Sequence, residues 1–416
     1  MKKKEHKSPV VAVVDFGSSA IRAMAVEKNA DGTLRILGVE ESTKQGIVKK
    51  GVIVQTTDAS MQLGTMLRCL VNRVNAKEEI KSVYVVVGGE WMQVCNVHVK
   101  REQSIRSAVP DKTLEDMFKE SMSKVSEKNP EVYEIDSEAI CYYLDKEVQL
   151  DKPSNDQKAR SIEADYIVAL SKRKTWEQLE GACNRKDVSI KNCWSIPTVL
   201  SIALLSDRDR EAGCAIIDFG AQTTTLNIYK NNYCQLAKVV AFGAENITRD
   251  LEALHITHDT AEKLKVGYGY ASPLYVEKDQ NIRMRSTDPN NPTIQLSTTL
   301  IAQCIQARLD EILKPIVEKI NEADEIERIY ITGGGSMLQG LIPYLQSKTN
   351  LPVEFGSHAD WLMEDEEQQY YMPQYSSLVG LAALAVEDTD KEQRTNPPFF
   401  KKVGDTIYKL FEPNEL

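Results

Sequence analysis

Two stretches of this sequence carry the same arrangement of residues suited to chemistry. VVAVVDFGSSAIRAMAV (Val10–Val26) and AIIDFGAQTTTLNIY (Ala215–Tyr229) each run an apolar strand into Asp-Phe-Gly, small polar residues and a second apolar strand. A tight turn of Gly and Ser/Thr aims backbone N–H groups and hydroxyls into one concavity, a nest suited to phosphate. An aspartate at the preceding strand end repels phosphate directly. It acts instead through hydrated Mg²⁺, which keeps several waters and bridges carboxylate to phosphate oxygens. Two such turns facing each other would grip a phosphate chain from both sides. A third element follows in order: strand Arg328–Thr332, then Gly333-Gly334-Gly335-Ser336, then a helix expected over Leu338–Leu345. Glycines there let a ligand approach the backbone closely. Each turn alone is commonplace; the ordered set of three is the signal.

The elements that must position these turns follow from periodicity. Strands are expected at Val10–Val14, Ala23–Val26, Leu34–Val39 and Ser82–Val87, with a helix over Ala59–Val74 that places Leu63, Met66, Leu67 and Leu70 on one face. From about Trp91 to Ala164 the character changes to short strands, a charged helix (Thr113–Ser126) and a polar run, Asp151–Ser161, expected as a mobile hairpin or loop of a small inserted subdomain. An α/β pattern resumes with strand Asp165–Leu170, helix Thr175–Asn184, strand Val188–Trp194 and a helix near Pro197–Leu205. A second lobe starts at Ala215–Tyr229 and includes a helical, loop-rich stretch, Asn246–Gly269, and a long helix, Thr298–Ile320. Glu387–Pro398 reads as a polar linker before a tail helix, Phe399–Glu412.

At 416 residues the chain is too long for one core, so two lobes are expected. Its composition, 42% apolar and 27% charged, is that of a globular protein. A net charge of −10 argues against a nucleic-acid partner. Eight scattered cysteines without a CxxC pair suggest a reducing compartment and no zinc site. No secretory signal and no apolar run near membrane-spanning length is present.

The order of two phosphate hairpins and a Gly-rich turn resembles the actin–Hsp70–sugar kinase superfamily and, more narrowly, the FtsA family of bacterial cell-division actin homologues. The match covers nearly the whole chain. It is carried by both hairpins and by KQGIVKKGVI (Lys44–Ile53), SVYVVVGG (Ser82–Gly89), DTAEKLKVGYG (Asp259–Gly269), IYITGGGSMLQGL and YSSLVGLAAL (Tyr375–Leu384). The resemblance implies a two-lobed actin-like ATPase α/β fold with an inserted 1C-type subdomain. Subdomain 1A would take 9–89, 165–210 and 376–386; the insertion 90–164; subdomain 2A 211–245 and 318–375; a 2B-like subdomain 246–317; a linker 387–398; and a C-terminal helix 399–412.

The same resemblance implies ATP and Mg²⁺ as ligands. Asp15 and Asp218 would approach the metal through water. Gly17, Ser18, Ser19, Gly220, Thr223 and Thr224 would hold the phosphates, Glu262 and Lys265 the ribose and adenine, and Gly333, Gly334, Gly335 and Ser336 the adenosine. Ala221 and Gln222 depart from the family's usual D-I-G-G-G-T hairpin, and WSIPTVL (Trp194–Leu200) lacks the water-polarising Glu of related ATPases. Hydroxyls such as Ser195 and Thr198 are no substitute for a general base near pH 7, so ATP binding with at most slow hydrolysis is expected. Implied partners are FtsZ, further copies in filaments, inner-leaflet lipids, and other division proteins through the 1C-like subdomain. The implied place is the cytoplasmic face of the bacterial plasma membrane at the division site. An actin-fold small-molecule kinase and an actin-like adaptor for another assembly, such as a pilus, are the alternatives. An Hsp70-like chaperone does not fit the short chain left after Leu384.

In the tail, Phe399, Phe400, Val403, Ile407, Leu410 and Phe411 fall at helical spacing on one face, flanked by Lys401, Lys402 and Lys409. Such a helix is about 21 Å long, too short to span a bilayer, and its aromatic face with flanking lysines suits the membrane interface.

Overall fold

The computed structural model describes residues 10–74, 79–127, 129–149, 152–323, 326–356, 361–363 and 372–394. Strand β1 (Val11–Phe16) is buried along its length apart from the half-buried Asp15, as an apolar strand is when both faces of its sheet are covered. It pairs antiparallel with β2 (Ile21–Lys28), which pairs with β3 (Leu34–Ser42). A small hairpin, β4 (Val48–Lys49) and β5 (Val52–Ile53), leads to helix α1 (Thr56–Arg73), and β6 (Ser82–Val87) returns parallel to β1.

The chain then builds a separate antiparallel sheet from β7 (Gln93–Ala108), β8 (Val132–Leu144), β9 (Glu147–Gln149) and β10 (Lys158–Lys172), with α2 (Asp111–Ser126) packed against it. Two sequence expectations are corrected by this sheet. The strands are long rather than short, with 16, 13 and 15 residues in β7, β8 and β10. Asp165–Leu170 is the end of β10, not a new first-lobe strand. The reason is that one strand serves two cores: Ala169 packs with the first lobe, while Val168 and Leu170 pack with α2. The polar run is also more ordered than expected. It joins β10 at Lys158, and before that Lys152 Nζ lies 2.6 Å from Asp111 Oδ1 while Asn155 donates to Asp111 Oδ2 at 2.8 Å.

Helix α3 (Arg173–Asn184), β11 (Ser189–Ser195), α4 (Ile196–Leu204) and α5 (Asp207–Ala212) complete this half, giving a sheet ordered β11-β6-β1-β2-β3. The second half repeats the scheme. It runs β12 (Cys214–Phe219), β13 (Thr224–Lys230), β14 (Tyr233–Val240), α6 (Ala244–Glu252), α7 (His258–Tyr268), a hairpin of β15 (Asn281–Arg285) and β16 (Thr293–Ser297), and α8 (Thr298–Glu322). Then come β17 (Arg328–Thr332), α9 (Leu341–Thr349), β18 (Val353–Phe355) and α10 (Ser376–Arg394). Its sheet order, β18-β17-β12-β13-β14, matches the first strand for strand.

Strand alternation assigns the cores. Val11 and Val13 face one way, joining Cys214 and Ile216 of the second sheet and helices α4 and α10 in a core shared by both lobes. Ala12, Val14 and Phe16 face α1 and α3; Ala215, Ile217 and Phe219 face α6 to α9. The linker expected from Glu387 is helical to Arg394 instead. Its polar residues are used against the first sheet: Thr389 Oγ1 lies 2.9 Å from Tyr84 Oη, and Lys28 Nζ donates to Asp390 Oδ2 at 2.8 Å. Residues 395–416, and with them all six tail positions, lie outside the described residues. No helix among the described residues is long and apolar enough to cross a membrane.

Candidate functional site: an interlobe cleft

The matching sheets place the two Asp-Phe-Gly hairpins on opposite walls of one cleft of ≈700 Å³. In the first, Asp15 pairs with Arg22 across the β1–β2 ladder, and Gly17, Ser18 and Ser19 line the turn. In the second, Asp218 pairs with Thr225, and the Gly220 N–H donates to Thr223 O at 3.0 Å, closing a tight turn. The two aspartates occupy equivalent ends of equivalent strands.

Their electrostatics are unfavourable without a cation. Burial, and then the charge of Asp15, pushes the Asp218 carboxyl up to about 7. Burial also raises Asp15, opposed by a 2.7 Å hydrogen bond from Ser377 Oγ and by the Arg22 charge. Among the described residues no cluster of three His, Cys, Asp or Glu side chains forms a protein cage for a metal. Two converging carboxylates beside turns of Gly and Ser/Thr fit a hydrated divalent ion that takes its remaining partners from water and ligand.

Glu262 and Lys265 share one face of α7, as their spacing requires. Lys265 Nζ lies 2.7 Å from Glu262 Oε2, and both reach Thr248 Oγ1 of α6, at 2.8 and 2.6 Å. Burial opposes the Glu262 charge, but the Lys265 and Thr248 hydrogen bonds outweigh it and hold that carboxyl below its usual range. Gly333, Gly334 and Gly335 also line the cleft. They enter a short 3-10 turn, Gly334–Met337, and α9 starts only at Leu341, after Gly340 at φ 76° interrupts the helix expected from Leu338.

Two expected contacts are displaced. Thr224 is fully buried behind the hairpin and donates to Phe242 O at 2.9 Å; strand alternation turns its neighbour Thr225 into the cleft. Ser336 is buried beneath its turn, donating to Gly333 O at 2.7 Å, and Met337 lines the cleft in its place. Residues not anticipated include Ser377 at the start of α10, the Gly51 turn between β4 and β5, and Gly88-Gly89. Parity along β13 could have found Thr225, whereas nothing local marks Ser377. In WSIPTVL the hydroxyls are structural: Ser195 caps α4 and donates from Oγ to Asp136 Oδ1 at 3.2 Å, so Ile196 and Leu200 face the cleft.

Gly333 supports the site most directly. At φ +83° an added Cβ would lie 2.4 Å from Asp218 Oδ1 and 2.7 Å from Phe219 O. Gly333→Ala is expected to lose roughly 2–4 kcal/mol of stability and to displace Asp218. Denaturant melts check the first effect; an unchanged midpoint would show that the turn has room to relax.

Comparison with known proteins bears on this cleft. The family model described as cell division protein FtsA matches residues 215–380, from the second hairpin through the Gly-rich turn. A cell division protein FtsA of Neisseria meningitidis serogroup B is 23% identical over 393 residues, covering 92% of this chain and 91% of that protein. The chain is similar to FtsA proteins along nearly its whole length and matches their family model over residues 215–380. In solved structures the fold is similar to a PilM–PilN type IV pilus biogenesis complex, with TM-score 0.64, 14% identity, and 90% and 98% of the two chains covered. It is also similar to MreB5 of Spiroplasma citri bound to ADP, with TM-score 0.56, 12% identity, and 93% and 99% covered. At those identities the likeness is one of fold: the two-lobed actin-like architecture. The relative matched along the chain is named a cell division protein.

Proposed function

We propose that this chain binds ATP with Mg²⁺ between its lobes, polymerises on the cytoplasmic face of the plasma membrane and tethers the FtsZ ring at the division site. The observation that carries the nucleotide part is the convergence of Asp15 and Asp218 between two phosphate-type hairpins in one cleft. Bound magnesium would neutralise phosphate charge beside these two carboxylates. Gly17, Ser18, Ser19, Gly220 and Thr223 offer N–H groups and hydroxyls to the phosphates. Glu262 and Lys265, fixed on α6 through Thr248, meet the ribose and base, and Gly333, Gly334 and Gly335 leave room for the adenosine.

Turnover is slow in this reading, because Ile196 and Leu200 present hydrocarbon where a base would have to polarise water. A small-molecule kinase would need a free carboxylate near the terminal phosphate. Of the described carboxylates in the cleft, Asp15 and Asp218 are committed to the metal, Glu245 is bound to Gln222 and Arg249, and Glu262 is bound to Lys265. Membrane attachment and the FtsZ and division-protein contacts rest on the tail spacing and on the family.

Negative-stain electron microscopy of the protein on a lipid monolayer with Mg²⁺ and ATP tests the whole reading. Ordered filaments are expected. A bare monolayer from a protein that still binds nucleotide would leave a monomeric, nucleotide-gated adaptor.

A further inference from the structure

Gln222 stands in the second hairpin at a position where the family's usual pattern has glycine, and its side chain crosses the cleft. Its Oε1 accepts the Lys50 backbone N–H from the opposite lobe at 2.8 Å, and its Nε2 donates to the Glu245 carboxylate of α6. The amide fits in one orientation only, since flipping it would set N–H against N–H and oxygen against carboxylate. Next to Lys50, the Gly51 N–H donates to Ser18 Oγ of the first hairpin at 3.1 Å. The β4–β5 turn thus gives one backbone donor to each phosphate hairpin. Both its residues are left-handed, at φ 50° and 76°, and a Cβ on Gly51 would lie 2.4 Å from Gly89 Cα, so the turn is wedged in place. It closes the gap between the hairpins, where a phosphate chain gripped by both must end.

We infer that Gln222 is an interlobe latch that a terminal phosphate displaces, so this residue sets how strongly the cleft prefers a nucleoside triphosphate to a diphosphate. The inference rests on the nucleotide reading of the cleft. A phosphate oxygen accepts a charge-assisted hydrogen bond, roughly twice as strong as the neutral one Gln222 makes. A third phosphate therefore takes the Lys50 N–H, and a diphosphate leaves the latch closed. The displaced side chain has space: Gln222 and Glu245 also border a second cavity of ≈630 Å³ on the other side. Because the amide competes with the ligand, it weakens triphosphate binding relative to a residue without one.

Two variants test this, Gln222→Ala and Gln222→Met, the second keeping the volume without the polar atoms. Hydrogen exchange at the Lys50 amide is measured first, without nucleotide or metal, and should be faster in both variants. ATP and ADP are then titrated in the presence of Mg²⁺. Removing the competing bond should tighten ATP roughly three- to tenfold, with ADP changed by less than about twofold. Unchanged exchange at Lys50 overturns the latch. Faster exchange with weaker ATP binding, or with equal shifts for both nucleotides, overturns its displacement by the third phosphate. If the parent chain binds neither nucleotide while Lys50 exchange still responds, the nucleotide reading fails, and displacement fails with it; the bond between the lobes stands.

Discussion

Asp218→Asn should make the metal-free protein more stable at pH 8 while removing most of the benefit of magnesium to nucleotide binding. Both effects come from the same crowding. Burial and the facing Asp15 raise the Asp218 carboxyl from 3.8 to about 7 in the folded protein. The folded state therefore binds this proton more tightly than the unfolded chain does. Stability falls as pH rises between those two values and stays low above the upper one. The penalty at pH 8 is on the order of a few kcal/mol. An isosteric amide does not carry it, so parent and variant should differ little near pH 4 and diverge by pH 8. With magnesium and nucleotide the ranking inverts. Losing a carboxylate that orders a metal's water costs roughly 10- to 100-fold in affinity. Denaturant melts in EDTA at the two pH values, and nucleotide titrations with and without Mg²⁺, read both halves. Parallel pH profiles, or an undiminished response to magnesium, would remove Asp218 from the metal's surroundings.

The hairpins that line the cleft are legible in the sequence because their signals are local. An apolar strand, a turn of Gly and Ser and a second strand lie within about twenty residues, and the strand expected at Arg328–Thr332 has those limits in the fold. What stays hidden depends on partners distant in sequence. Ser377 meets Asp15 across a separation of 362 residues, and no pattern near either residue announces it. The charged segment after Glu387 reads as a linker because composition does not reveal that Lys28 awaits Asp390 and Tyr84 awaits Thr389. Polar Lys158–Ser161 reads only as a mobile hairpin or loop, yet Lys158 and Ala159 pair with Ala108 and Ser107 in a long strand. Backbone partners, not side-chain apolarity, make that stretch a strand. At Gln222 the sequence marks a departure in the hairpin, and only the fold brings Lys50 to it.

Phe400→Glu combined with Leu410→Glu should abolish binding to anionic vesicles and leave ATP affinity as it was. In a helix, the spacing of Phe399, Phe400, Val403, Ile407, Leu410 and Phe411 makes one apolar face, while Lys401, Lys402 and Lys409 supply attraction to acidic lipid. Each large apolar side chain contributes roughly 1.5–3 kcal/mol when buried, so deleting two costs at least about 10²-fold, and two carboxylates facing anionic headgroups add repulsion. A helix this short is marginal in water and is stabilised by the surface it binds, so the substitutions also remove much of the reason for it to form. The cleft residues all lie between Asp15 and Ser377, while both substitutions follow Arg394, where α10 ends after packing against the first lobe. Vesicle co-sedimentation beside nucleotide titration separates the two properties. Retained sedimentation would mean that the apolar face packs on protein rather than lipid; loss of both would mean that tail and cleft are coupled through α10, whose Ser377 holds Asp15.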